Sequence, residues 1–236
     1  MRQLKNFYDS RVASGDEGAF LKQVGHTECG QPITPLQFDR MVHQLHALLN
    51  LGSDDRLLDL CCGNGVITAR LAKTAAEVVG VDLSPELIRV ANTHQIRVNT
   101  TFQQGDLRAL AQVPGLHGKA FSKVLMQAAL QHFTPAEFEP LIRSILELCE
   151  PAPVIVFGFI PEDGKQNHLF DTPRRRLNRL WLRATGRDQF GHWWKKQALE
   201  EVCARLGLDC SFHAVDNQLA AASYRFNMRI VAAQHT

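Results

Sequence analysis

The feature that most limits what this chain can become is an alternation of short apolar runs with helical patterns. Strand-length runs occur at 56–61, 77–82, 99–104, 121–127 and 153–160, the longest apolar one being Val154 to Ile160. Helical periodicity fills the gaps at about 65–76, 84–97 and 134–149. Short apolar strands alternating with helices call for a parallel sheet with crossover helices on both faces. With 236 residues, 45% of them apolar and 21% charged, the chain can bury a core of that size.

The helix starts are written locally. Thr34-Pro35-Leu36-Gln37 supplies a hydroxyl cap, a proline in the first turn and a glutamine at the third position. Phe38, Met41, Val42, Leu45 and Leu49 then follow the 3.6-residue period. Ser84-Pro85 and Thr134-Pro135-Ala136-Glu137 repeat the cap-and-proline start. After a further helix at about 195–206, strand candidates at 208–215 and 223–232 are separated by only seven residues. A parallel crossover needs a dozen or more, so these two strands must pair antiparallel. The expected fold class is α/β: a Rossmann-like doubly wound seven-stranded sheet, mostly parallel, with the last strand antiparallel.

Composition narrows the partners. A net charge of +2 and a pI near 8.3 are too mild to argue for nucleic acid or a membrane surface. No apolar stretch approaches the roughly 18 residues a bilayer span needs, and Met1 to Asn6 has no apolar signal-like run. The six cysteines form no Cys-x-x-Cys, and adjacent Cys61 and Cys62 sit in an apolar stretch. Buried thiols in a reducing cytoplasm are expected, and no metal centre.

Ligands of open α/β sheets bind beyond the carboxyl ends of the strands. The first such end reads Asp59-Leu60-Cys61-Cys62-Gly63-Asn64-Gly65 and opens a helix. As a dinucleotide fingerprint it fails at Thr68, where Gly or Ala is required, and a nicotinamide-binding domain has no need of a reversed last strand. The second strand ends in Gly80-Val81-Asp82 and the third in Gln104-Gly105-Asp106-Leu107. Each aspartate alone also reads as a helix N-cap. Three acids or glycine turns at three successive strand ends point to a ligand.

Leu57 to Gly65, Val78 to Ala91, Gln103 to Leu107 and Phe121 to Phe133 together resemble the successive motifs of class I S-adenosylmethionine-dependent methyltransferases, over about residues 35–160. The departures are Cys61 where glycine is usual and Ser122 where aspartate often begins the fourth strand. The resemblance implies S-adenosylmethionine as cofactor, with Asp59, Cys61, Gly63 and Gly65 around the methionine part and Asp82 on the ribose hydroxyls. It further implies Leu83 against the adenine, Asp106 and Leu107 at the adenine amino end, and Gln127 near the methionine part. Residues 1–34 are read as a lid with Tyr8 touching the methionine part, 35–236 as the cofactor-binding domain, and 161–194 as the insertion that builds the acceptor pocket.

Leu125-Met126-Gln127 lacks the aspartate of metal-dependent relatives, and Gln127-Ala128-Ala129-Leu130 lacks the tetrad of base-amino enzymes. His132 is the candidate base; Gln127 to His132 resembles the stretch of antibiotic-sugar N-methyltransferases where a histidine faces the acceptor. His168, Arg174 and His192 are read as substrate-binding. Arg174, Arg175, Arg176, Arg179, Arg183 and Arg187, near Trp181, Trp193 and Trp194, form either an anion grip or a solvated basic helix. The expected activity is metal-independent transfer to a hydroxyl or amine of a small polar, anionic or sugar-like acceptor. An RNA methyltransferase and a non-catalytic cofactor sensor are the rivals. Nucleic acid is not the expected partner, and a homodimer stays open.

Overall fold

The computed structural model describes residues 2–13, 19–28, 30–185 and 190–233. Seven strands form one sheet: β1 (Arg56–Leu60), β2 (Glu77–Asp82), β3 (Thr100–Gln104), β4 (Phe121–Gln127), β5 (Cys149–Pro161), β6 (Leu208–Ala214) and β7 (Arg225–Ala232). Their order is β3-β2-β1-β4-β5-β7-β6. All pairs from β3 to β5 are parallel, whereas β7 runs antiparallel to both β5 and β6. The short connection makes β6 and β7 antiparallel to each other, and the pairing of β7 with β5 makes the last strand the reversed one.

Among the described residues six longer helices accompany the sheet: α1 (Arg2–Ala13), α2 (Pro35–Leu49), α3 (Pro85–His94), α4 (Pro135–Leu146), α5 (Pro173–Ala184) and α6 (Lys196–Arg205). Parallel strands are buried on both faces, which is why they read as continuous apolar runs. Successive residues of β1 go opposite ways. Leu57 joins Val78, Leu125 and Val156 under α2, while Leu58 joins Val79, Val124 and Met126 under α4 and α6. Met41 and Leu45 of α2 are each 1% exposed, worth about 1.5–3 kcal/mol apiece. The caps form as written: Thr34 accepts from the Gln37 N–H and Ser84 from the Leu87 N–H. Ser122 replaces a carboxylate by bonding one, its hydroxyl donating to Asp55 at 2.7 Å and accepting from the Arg56 N–H.

The helix expected over 65–76 shrinks to one turn, Thr68–Leu71. The Asn99 amide donates to the Ala72 and Ala75 carbonyls, and the Asp55 carbonyl takes the Ala76 N–H. Those groups are thereby removed from the helical ladder. No helix among the described residues is long and apolar enough to cross a membrane.

Candidate functional site

The order of the sheet reverses between β1 and β4, so their carboxyl ends open a crevice. Asp59, 2% exposed, accepts the Thr68 hydroxyl at 2.5 Å. Burial lifts its carboxyl to about 7; the Thr68 bond opposes this and the charge of Asp82 adds to it. Thr68, which the sequence presents only as a break in a dinucleotide fingerprint, is thus the partner of a buried acid. Cys61 follows at φ +56. Its departure from glycine is therefore one of backbone conformation as well as size, since left-handed φ costs an L-residue about 1–2 kcal/mol.

Asp82 lies across the tip of this turn. One of its oxygens accepts the Gly63 N–H at 2.9 Å and the other the Ser84 N–H at 2.8 Å. Burial raises its pKa, and those two N–H groups pull the other way. Asp59, Cys61, Gly63, Asp82, Leu83 and Gln127 all line one cavity of about 90 Å³. Gln127 is 8% exposed and its Oε1 is buried with no partner among the described residues. Gly158 makes room for it: a Cβ there would stand 1.7 Å from that oxygen.

Three expected cofactor residues lie elsewhere. Gly65 (φ +75) packs on β3 and α3, where a Cβ would come within 2.6 Å of the Phe102 ring and 3.2 Å of Ala91. Asp106 accepts the Arg108 N–H and caps the turn Leu107–Gln112, while Leu107 is buried in the core. Neither lines the cavity, although the charge of Asp106 acts on Cys61.

The N-terminal segment closes the open side. The Asn64 amide, fully buried, donates to the Phe20 carbonyl and to Gln23 Oε1 at 2.9 and 2.8 Å. The Ser84 hydroxyl donates to Asp9 at 2.5 Å, and Val12 of α1 packs on Leu87 and Val90 of α3. Leu4, Lys5, Tyr8, Val24 and His26 thereby wall the cavity. Its volume is below the roughly 300–1,000 Å³ of ligand pockets because these side chains fill it.

A second cavity of about 1180 Å³ shares Tyr8, His26, Ala128 and His132 with the first. His132 ends the turn Leu130–His132, and its Nε2 is buried with no partner among the described residues. Burial, then the charges of Arg225 and Arg108, push it down to about 4. Its ring meets that of Tyr8 edge-on at 6.3 Å. Burial pushes Tyr8 up to about 12 and His26 down to about 4. His192 reaches this cavity, its ring edge-on to Trp194 at 4.7 Å and its backbone N–H donating to the Gln131 carbonyl.

The other two substrate candidates do not reach it. His168 is exposed on the single turn Gln166–Leu169, and Arg174 lies on the outer surface of α5 beside Arg175, Leu177 and Trp181. The helix turns its Arg174 side to water and lends Leu182, with Thr185 just beyond its end, to the cavity wall. Arg187 and the side chains of Arg176, Arg179 and Arg183 lie outside the described residues. Among the described residues no group of three His, Cys, Asp or Glu could hold a metal ion. Arg225 and Gln131, which the sequence does not single out, line the cavity instead. Nothing local marks them, since each sits in an ordinary stretch of strand or turn.

A seven-stranded sheet with this order, a reversed last strand and a carboxylate at the tip of β2 is the fold of class I S-adenosylmethionine-dependent methyltransferases. Residues 57–152 match the family model described as a methyltransferase domain, and the chain carries that domain. An uncharacterised methyltransferase of Synechocystis sp. is 30% identical over 125 residues, 53% of this chain and 55% of that one. A ubiquinone biosynthesis O-methyltransferase of Albidiferax ferrireducens is 30% identical over 159 residues, 65% of this chain and 60% of that one. The chain spans about half the length of the curated relatives it matches. Magnesium protoporphyrin IX methyltransferase of Synechocystis PCC 6803, solved with bound S-adenosylhomocysteine, superposes with a TM-score of 0.64 at 18% identity, covering 98% of this chain and 99% of that one. That likeness is one of fold.

Proposed function

We propose that the chain is a metal-independent methyltransferase that moves the methyl of S-adenosylmethionine to a hydroxyl, or an amine, of a small polar acceptor. The observation that carries this reading is the place of His132: it stands in the wall common to both cavities, uncharged at neutral pH, with an unpartnered buried nitrogen. The smaller cavity suits the cofactor. The Asp82 oxygens, each holding one backbone N–H, retain lone pairs for the ribose hydroxyls, and Leu83 offers an apolar side to the adenine. Asp59 and the orphaned Gln127 Oε1 present oxygens toward the cationic methionine end. When bound, the cofactor supplies an activated methyl on a sulfonium. The chain would align the acceptor in the larger cavity, and His132 Nε2 would accept the hydroxyl proton given up when the methyl leaves sulfur for oxygen, the sulfonium becoming a neutral thioether.

Residues 1–34 act as the lid in this reading, and must move aside for the cofactor to enter. Among the described residues five cysteines are free thiols, which fits a cytoplasmic setting. The acceptor is kept at small and polar: relatives include ubiquinone biosynthesis O-methyltransferases, and no feature of the cavity singles out a sugar.

The test is transfer of labelled methyl into fractionated extract, separated into small metabolites, lipids, RNA and protein. Label in small metabolites that disappears with Asp82→Ala is the expected result, and label in lipids would overturn the polar acceptor. His132→Ala should keep cofactor affinity and lose about 10²–10⁴ in rate; a loss below tenfold returns His132 to a structural role. Label in RNA would move the acceptor class, and cofactor binding without label in any fraction would favour a sensor.

A further inference from the structure

The larger cavity is lined by a cation, Arg225, that has no carboxylate partner among the described residues. Arg225 opens β7 beside the bulge at Gly158 and Phe159, where the β5–β7 register shifts. Phe159 adopts φ +57, its N–H held by Asn227 Oδ1 at 3.0 Å, and its carbonyl takes a hydrogen bond from Arg225 Nη1. The same nitrogen donates to Gln131 Oε1 at 3.3 Å. Both partners are neutral, as is the Tyr224 ring whose centroid lies 5.5 Å from the guanidinium carbon, and no carboxylate pairs with Arg225 among the described residues. Its Nε and Nη2, the edge that binds a carboxylate or phosphate through two parallel bonds, donate to nothing among the described residues.

The surroundings accentuate this. Arg225 lines the cavity together with Tyr8, His26 and His132, and all three are uncharged at neutral pH. Arg108, also in the wall, is paired with Glu137 at 2.6 Å. Glu28, the acid of the wall, is exposed and accepts from the Gln37 amide. A half-buried, unpaired guanidinium is costly to keep, and an oxyanion in the cavity would repay it.

We propose that the acceptor carries an oxyanion, a carboxylate or a phosphate group, and that Arg225 is the residue that holds it, orienting the acceptor's hydroxyl toward His132. The anion grip foreseen on α5 is thereby moved to β7. This rests on the reading of the larger cavity as the acceptor pocket.

The test titrates protein loaded with S-adenosylhomocysteine, using inorganic phosphate in one arm and succinate in the other, at ionic strength matched with chloride. Binding is read from the shift in thermal unfolding, for the wild type, Arg225→Gln and Arg225→Lys. At least one probe should bind the wild type and bind Arg225→Gln about ten- to hundredfold more weakly, the range a charge-assisted hydrogen bond commands. Arg225→Lys, which keeps the charge and loses the fork, should fall between. Unchanged affinity for S-adenosylhomocysteine certifies that each variant is folded. Which probe binds tells phosphate from carboxylate. No binding of either probe, or equal binding by Arg225→Gln, overturns the proposal. Transfer of labelled methyl is measured separately, so either idea can fail while the other stands.

Discussion

At the tip of β1, Asp59 is 2% exposed and bonded to the Thr68 hydroxyl, with Asp82 close enough for its charge to be felt. Its carboxyl therefore holds a proton up to about 7, well above an ordinary aspartate. A cationic ligand in the adjoining cavity favours the ionised form, so binding should release a proton near neutrality. S-adenosylmethionine is expected to bind more tightly at pH 8 than at pH 6, and S-adenosylhomocysteine, which lacks the sulfonium charge, with a smaller change. Calorimetric titration at the two pH values checks this, and Asp59→Asn should flatten the difference. A wild-type affinity that does not respond to pH would mean Asp59 does not face the cation. Asp59, Asp82 and His132 are legible in the sequence because strand ends and capped helices announce themselves in residue order. Thr68 and Arg225 are not, because their partners lie 9 and 66 residues away.

At the scale of elements, the N-terminal segment lines the smaller cavity with Leu4, Lys5, Tyr8, Val24 and His26 and is the lid of the proposed function. Residues 20–23 are held to the domain by one buried side chain, Asn64, which bonds the Phe20 carbonyl and Gln23 Oε1, while α1 is held separately by Asp9 and Val12. Asn64→Ala leaves both acceptors unpaired, a loss of about 1–3 kcal/mol concentrated on residues 20–23. The segment should open more often, and trypsin should cut at Lys22 faster than in the wild type. Bound S-adenosylhomocysteine should slow that cut in both proteins; cleavage indifferent to ligand and variant alike would show that the segment does not guard the cavity. The caps at Thr34 and Ser84 were readable because a cap is a contact over three residues. The shortening of the helix after β1 was not, since Asn99 supplies the competing amide from β3's approach. Nor was the outward face of Arg174 on α5, because periodicity defines a stripe without saying what it meets.

At the scale of the whole molecule, folding and protons are linked. His26, 9% exposed, titrates near 4 when folded and near 6.5 when unfolded. Between those values the unfolded chain holds the extra proton, so His26 contributes stability above pH 6.5 that is lost as pH falls toward 4. His132 acts in the same direction. Asp59 acts in the opposite one, since its folded form keeps a proton until about 7, and its share is lost as pH rises. His26→Gln should therefore lose less stability than the wild type between pH 7 and pH 5, by about 1–2 kcal/mol in urea unfolding. Parallel losses in the two proteins would place His26 in contact with water. The sequence by itself determined most of the sheet: apolar period, cap chemistry and a short gap between the last two strands are local, and they fix strand order of appearance, crossovers and the antiparallel pairing of β6 with β7. Only the tertiary structure decided that Tyr8, His26, His132 and Arg225 share one cavity, because charge, burial and orphaned polar atoms arise where distant segments meet.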